Sequence, residues 1–86
     1  TEGIVNYALA IKGIKFAAFI AEKDGMVKLS LRSKGNFKVN LIAGKYFSGG
    51  GHMNASGGIS ETSVNETIKK LEQIINDYKN ELNNQN

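Results

Sequence analysis

With 86 residues, the chain is long enough for one small hydrophobic core and too short for a second. It has no cysteine, which excludes disulfides and thiolate metal sites and suits a reducing compartment. No secretory signal is visible and no apolar run nears the ~18 residues of a membrane span, so a cytoplasmic protein with no membrane partner is expected. The net charge of +3 is uneven: residues 1–58 hold eight Lys or Arg against three Asp or Glu, and residues 59–86 hold three against five. A basic first part suits an anionic partner, although charge alone favours an ordinary solvated lysine surface.

Residues 4–11 carry Ile4, Val5, Ala8, Leu9 and Ile11, a spacing that predicts a short helix broken at Gly13. Residues 15–22 are apolar on both alternating faces, with Phe16, Ala18 and Ile20 on one and Ala17, Phe19 and Ala21 on the other. That pattern predicts a strand covered on both sides. Asp24-Gly25 is a two-residue hairpin signal. Residues 26–33 then alternate, Val27, Leu29 and Leu31 pointing one way and Lys28, Ser30 and Arg32 the other. A two-residue turn fixes the register: Ile20 opposite Leu29, Ala18 opposite Leu31, Ala17 opposite Arg32. Arg32 beside the small Ala17 has room around its guanidinium. That suits a ligand-facing arginine, and also one snorkelling to water at a strand end.

Lys34-Gly35-Asn36 predicts a loop, and Phe37 and Val39 a short extended stretch. Asn40 suits the N-cap of a helix over residues 41–47, with Leu41, Ile42, Ala43, Tyr46 and Phe47 available for packing, and Gly49 suits the C′ position that ends it. Residues 57–60 are expected to return as a strand. Ser63-Val64-Asn65-Glu66 has the capping-box pattern. It opens a helix with apolar positions at Val64, Ile68, Leu71, Ile74 or Ile75, Tyr78 and Leu82, and residues 83–86 are expected to fray. The order predicts an α/β (α+β) domain: a small mixed β-sheet with helices packed on it, a central β-hairpin and a long C-terminal helix.

Between the second helix and the third strand lies Gly49-Gly50-Gly51-His52-Met53-Asn54-Ala55-Ser56-Gly57. Consecutive glycines free the backbone for positive φ and close ligand approach. Their N–H groups can converge into an anion nest, and residues 53–56 could start a helix whose positive dipole end adds to it. The bland alternative is a flexible turn, which three glycines would destabilise through unfolded-state entropy. The run matches neither GxGxxG nor GxxxxGK[ST]. His52, the single histidine, cannot hold a catalytic metal alone, because such sites need several converging ligands. It can donate to a phosphate oxygen. These residues can bind a phosphorylated ligand without a means to cleave it, so no catalytic residue and no metal ligand is assigned.

Arg32-Ser33-Lys34, Val39-Asn40-Leu41-Ile42-Ala43 and the GGGH-x-x-A-x-G run from Gly49 to Gly57 resemble the C-terminal, DHH-associated domain of the DHH phosphoesterase superfamily. The opening Glu2-Gly3-Ile4-Val5-Asn6-Tyr7 and the Asn54-Ala55-Ser56-Gly57 version of the motif resemble its NrnA-like branch. That branch degrades short oligoribonucleotides and dephosphorylates phosphoadenosine phosphate. The resemblance covers roughly residues 2–75. It implies that residues 1–86 form one substrate-binding domain of a longer two-domain enzyme, as the start at Thr1 also suggests. The partner would be an N-terminal DHH domain of the same chain, binding two manganese ions for phosphoester hydrolysis. This fragment would carry no cofactor and no activity by itself. Arg32 would grip a substrate phosphate with Ser33 and Lys34 beside it. Gly49, Gly50, Gly51, His52 and Asn54 would cradle a second phosphate or the terminal nucleotide of a short RNA or DNA oligonucleotide or phosphorylated nucleotide. Other readings are a RecJ-like exonuclease, a cyclic-dinucleotide phosphodiesterase domain, or a non-catalytic RNA-binding module, the last disfavoured by the small net charge.

Overall fold

The computed structural model describes residues 3–11 and 14–83, with side chains over residues 15–80. Five strands and two helices follow in the order β1 (Gly3–Ile11), β2 (Ile14–Lys23), β3 (Met26–Ser33), α1 (Val39–Tyr46), β4 (Gly50–His52), β5 (Ala55–Ser60) and α2 (Val64–Asn83). The strands form one sheet ordered β1-β2-β3-β5-β4. Every pairing is antiparallel. The class is α+β as expected, and the sheet is antiparallel throughout rather than mixed.

Asp24 and Gly25 both have positive φ, 54° and 76°, the backbone that a two-residue primed turn requires. This turn sets the β2–β3 register at Ile20↔Leu29, Ala18↔Leu31 and Ala17↔Arg32, as the sequence predicts. In consequence Phe16, Ala18, Ile20, Val27, Leu29 and Leu31 share one face and are all buried. Val39, Ile42, Ala43 and Phe47 from α1 and its end, and Leu71, Ile74 and Ile75 from α2, complete a single core with them. Both of the candidate positions Ile74 and Ile75 are buried, Val64, Ile68 and Tyr78 pack at the margin, and Leu82 lies outside the described side chains. Ser63 caps α2, its Oγ accepting the Glu66 N–H at 3.1 Å. Asn83 is still helical, and residues 84–86 lie outside the described residues.

Four expectations fail for identifiable reasons. Residues 4–11 form a strand, not a helix: their apolar spacing fits both periods, and pairing along the whole of β2, from Gly3↔Glu22 to Ile11↔Ile14, decides between them. Gly13, the expected breaker, lies outside the described residues. Secondly, β2 is covered on one side only, because both helices take the same face of the sheet. Phe19 is 46 % exposed on the other. Thirdly, α1 starts at Val39, with Phe37 buried in the preceding loop and Lys38 at the cap position, making no side-chain cap bond. Asn40 is inside the helix, its Oδ1 buried without a hydrogen-bond partner among the described residues. Fourthly, α1 ends through Ser48 at φ 49° rather than through Gly49, with the N–H groups of Phe47 and Gly49 both donating to the Ala43 carbonyl, at 3.1 and 2.9 Å. Among the described residues no helix is long and apolar enough to cross a membrane.

Candidate functional site

The glycine run is a β-hairpin and not a loop that feeds a helix. β4 and β5 pair as Gly50↔Gly57, Gly51↔Ser56 and His52↔Ala55, with Met53 and Asn54 as the turn. Successive N–H groups of an extended strand point to opposite sides, so the convergent nest expected from three glycines does not form, nor does a helix dipole aim at it. Two of the three glycines answer to packing or backbone instead. A Cβ on Gly49 would overlap the Gly57 carbonyl oxygen and stand 2.6 Å from Gly58 Cα, so this glycine lets the segment after α1 run close against the β5 backbone. Gly51 has φ 146°, and its Cβ would lie 2.8 Å from the Ala55 carbonyl oxygen. A Cβ on Gly50 would meet nothing within 4 Å.

Two sequence segments meet at one end of this sheet. The Ser33 N–H donates to the Asn54 carbonyl at 3.0 Å, and Asn54 Nδ2 donates to Ser33 Oγ at 2.9 Å and to the Gly35 carbonyl at 3.2 Å. Ser33 Oγ in turn donates to the Phe37 carbonyl at 2.6 Å, and the Val39 N–H donates to the Met53 carbonyl at 2.8 Å. The hairpin turn is thereby bolted to the β3–α1 connection. Ser56 Oγ, donating to the His52 carbonyl at 2.7 Å, braces the hairpin from within. Ser33 and Asn54 spend their polar groups on each other and on the backbone, so here they position the site.

Arg32, Lys34, Gly50, Gly51 and His52 are exposed. Arg32 opposes Ala17 on one side and Ala55 on the other, and Ala55 opposes His52. Directly opposed residues share a face, so Ala17, Arg32, Ala55 and His52 form one row across the uncovered side of the sheet. Arg32 and His52 stand two strands apart, about 10 Å at the backbone, with only an alanine between them. Arg32 Nη1 donates to the Leu31 carbonyl at 3.2 Å, which steadies the guanidinium and leaves donors of its fork for a ligand. The Lys34 N–H donates to the Lys15 carbonyl at 3.1 Å, which brings Lys15, two residues before Ala17 on the same face, beside the Arg-Ser-Lys segment. Lys15 carries no motif in the sequence; its place beside Lys34 follows from extending the hairpin register by one more pair. Gly49 is exposed as well, with its N–H held by the Ala43 carbonyl of α1. Among the described residues no group of three or more His, Cys, Asp or Glu comes together to hold a metal.

The chain belongs to the DHHA1 domain family, whose model matches residues 1–81. It is the DHH-associated kind of domain that its Arg-Ser and GGGH segments resemble. It is 37 % identical over 73 residues to the cyclic-di-AMP phosphodiesterase GdpP of Geobacillus thermodenitrificans, a match covering 81 % of this chain and 11 % of that protein. It is also similar to the crystal structure of an exopolyphosphatase-related protein from Bacteroides fragilis, at 43 % identity and a TM-score of 0.75. That match covers 86 % of this chain and 22 % of the solved one. The chain thus spans a small part of the length of each relative.

Proposed function

We propose that this domain holds the substrate for a manganese-dependent DHH phosphoesterase that hydrolyses short oligonucleotides or phosphoadenosine phosphate, in the NrnA-like manner. The observation that carries the reading is the row on the uncovered face, where Arg32 and His52 flank Ala55. A phosphorylated ligand lying along this row meets a bidentate cation at one end and an imidazole donor at the other. Gly50 leaves the backbone open beside it, and Lys34 and Lys15 extend the positive field. The two manganese ions belong to a DHH domain elsewhere in the same protein, supplying the nucleophile and leaving-group stabilisation of two-metal hydrolysis. The residues described here bind and orient, and the domain alone is inactive.

Titration with a linear dinucleotide and with phosphoadenosine phosphate, followed by amide shifts, tests this. Arg32 and residues 50–52 are expected to move, and Arg32→Ala to abolish the response. Unmoved amides at both places refute the grip. Similarity to the cyclic-di-AMP phosphodiesterase favours a second reading, a cyclic-dinucleotide ligand. A cyclic dinucleotide that binds more tightly than either linear ligand would support it.

A further inference from the structure

The uncovered face is laid out in rows by the strand register. Next to the row of Ala17, Arg32, Ala55 and His52 runs a second row of Phe19, Ser30, Gly57 and Gly50. Beyond it Lys28 and Ile59 oppose each other. From Ser30 to Gly50 the middle row carries nothing larger than a hydroxymethyl group, over two strand spacings, about 10 Å. Arg32 and His52 rise on one side of this strip, Lys28 and Ile59 on the other, and Phe19 closes its inner end. The strip is a shallow trough with a backbone floor.

Its glycines are not demanded by the fold. A Cβ on Gly50 would meet nothing within 4 Å, and one on Gly57 only the Leu29 carbonyl oxygen at an ordinary 3.4 Å. Neither has a positive φ. By contrast, added Cβ atoms on Gly49, Gly51 and Gly58 would stand 2.9 Å or less from backbone atoms of the domain. Phe19 likewise does nothing for the core, being 46 % exposed while Phe16, Ala18 and Ile20 of the same strand are buried. A phenyl ring standing in water beside a cleared strip, with Arg32 and Lys28 as its two diagonal neighbours about 7–8 Å away between Cβ atoms, has the makings of a stacking platform for a base whose phosphates are held by cations. Flanking cations disfavour a protein partner here, because charged residues are depleted in the core of protein interfaces.

We propose that this trough seats one nucleobase of a nucleotide ligand, stacked on the ring of Phe19 over the Ser30–Gly57–Gly50 floor. The proposal rests on the reading that Arg32 holds an adjoining phosphate. Base identity is read weakly, because the floor offers flat surface rather than a set of side-chain donors and acceptors.

The test compares binding of a dinucleotide with that of the same backbone lacking its bases, for the parent protein and for Phe19→Ala, Phe19→Tyr and Arg32→Ala. Phe19→Ala is expected to weaken the dinucleotide by about tenfold or more and to leave the abasic ligand unchanged, with Phe19→Tyr near the parent. Arg32→Ala is expected to weaken both ligands. Parental dinucleotide affinity in Phe19→Ala, alongside a weakened Arg32→Ala, overturns the base site and leaves the phosphate grip standing. If Arg32→Ala binds both ligands as the parent does, the phosphate reading falls and the proposal with it. Equal weakening of both ligands by Phe19→Ala assigns the ring to support of the fold and overturns the base site.

Discussion

The three consecutive glycines give a sharp test, because adjacent positions in one short stretch should respond oppositely to the same methyl group. In Gly49→Ala the new Cβ overlaps the Gly57 carbonyl and stands 2.6 Å from Gly58 Cα. An ordinary carbon contact needs about 3.5 Å, so the start of β4 and the middle of β5 must separate by about 1 Å. That movement works against the Gly49 N–H bond to the Ala43 carbonyl. It also disturbs the Gly58–Phe47 approach, where even a Cβ has no room. Overpacking in a core costs about 1–3 kcal/mol, and here the obstacle is backbone, so about 3 kcal/mol is the expected loss. A domain of this size has about 4–13 kcal/mol in all, and the loss corresponds to a fall in Tm of about 12–24 °C. Gly50→Ala meets nothing and restricts the unfolded chain, so it should be neutral or stabilise by up to about 1 kcal/mol. Thermal unfolding followed by circular dichroism reads both. If the two variants melt within about 3 °C of each other, the assignment of one glycine to packing and the other to an open surface is wrong.

Arg32→Ala should leave the melting temperature within about 3 °C of the parent, since the side chain is exposed, while weakening phosphate-bearing ligands in a calorimetric titration. Asn54→Ala removes both donations that bolt the hairpin turn to Ser33 and Gly35 and should cost about 1–2 kcal/mol in urea unfolding. Its amide shift changes should extend to Arg32. Thr67→Val keeps the shape of a fully buried side chain but removes the hydroxyl that donates to Ser60 Oγ at 2.7 Å. A loss of about 1–3 kcal/mol is expected, and a neutral result would show that Ser60 and Thr62 satisfy each other alone. Ser63→Ala should cost about 1 kcal/mol through loss of the cap to the Glu66 N–H, with hydrogen exchange quickening in the first turn of α2.

The parts legible in the sequence are those where a local signal fixes a phase. Asp24-Gly25 allows one tight turn, and from it the pairing of Ala17 with Arg32 follows by counting. The capping box does the same for α2. Residues 4–11 carry no such marker, and their apolar spacing satisfies helix and strand alike until the free side of β2 claims them. Phe19 was hidden by its own neighbours: a strand apolar on both faces implies cover on both, and only the placement of both helices on one side exposes it. The glycine run stands out as a candidate site, yet its sequence does not tell which glycine is held by packing and which lies open. That depends on how close α1 approaches β5. The bond between Asn54 and Ser33 joins residues far apart in sequence, and each residue alone looked like a ligand contact.

The sheet order also has a kinetic consequence. β1, β2 and β3 are antiparallel neighbours in chain order that can zip locally, whereas β3 meets β5 only after α1 and β4 have been laid down between them. Closing that longer loop is the slower entropic step, and it is the step that brings Ala55 and His52 alongside Arg32. A chain that has only β1, β2 and β3 in place carries the Ala17–Arg32 half of the row without the other half. A ligand touching both halves therefore binds the finished fold alone and adds its binding free energy to stability, about 2.7 kcal/mol at a hundredfold excess over Kd. Ligand-induced protection against unfolding is then a direct gauge of whether the two halves act together.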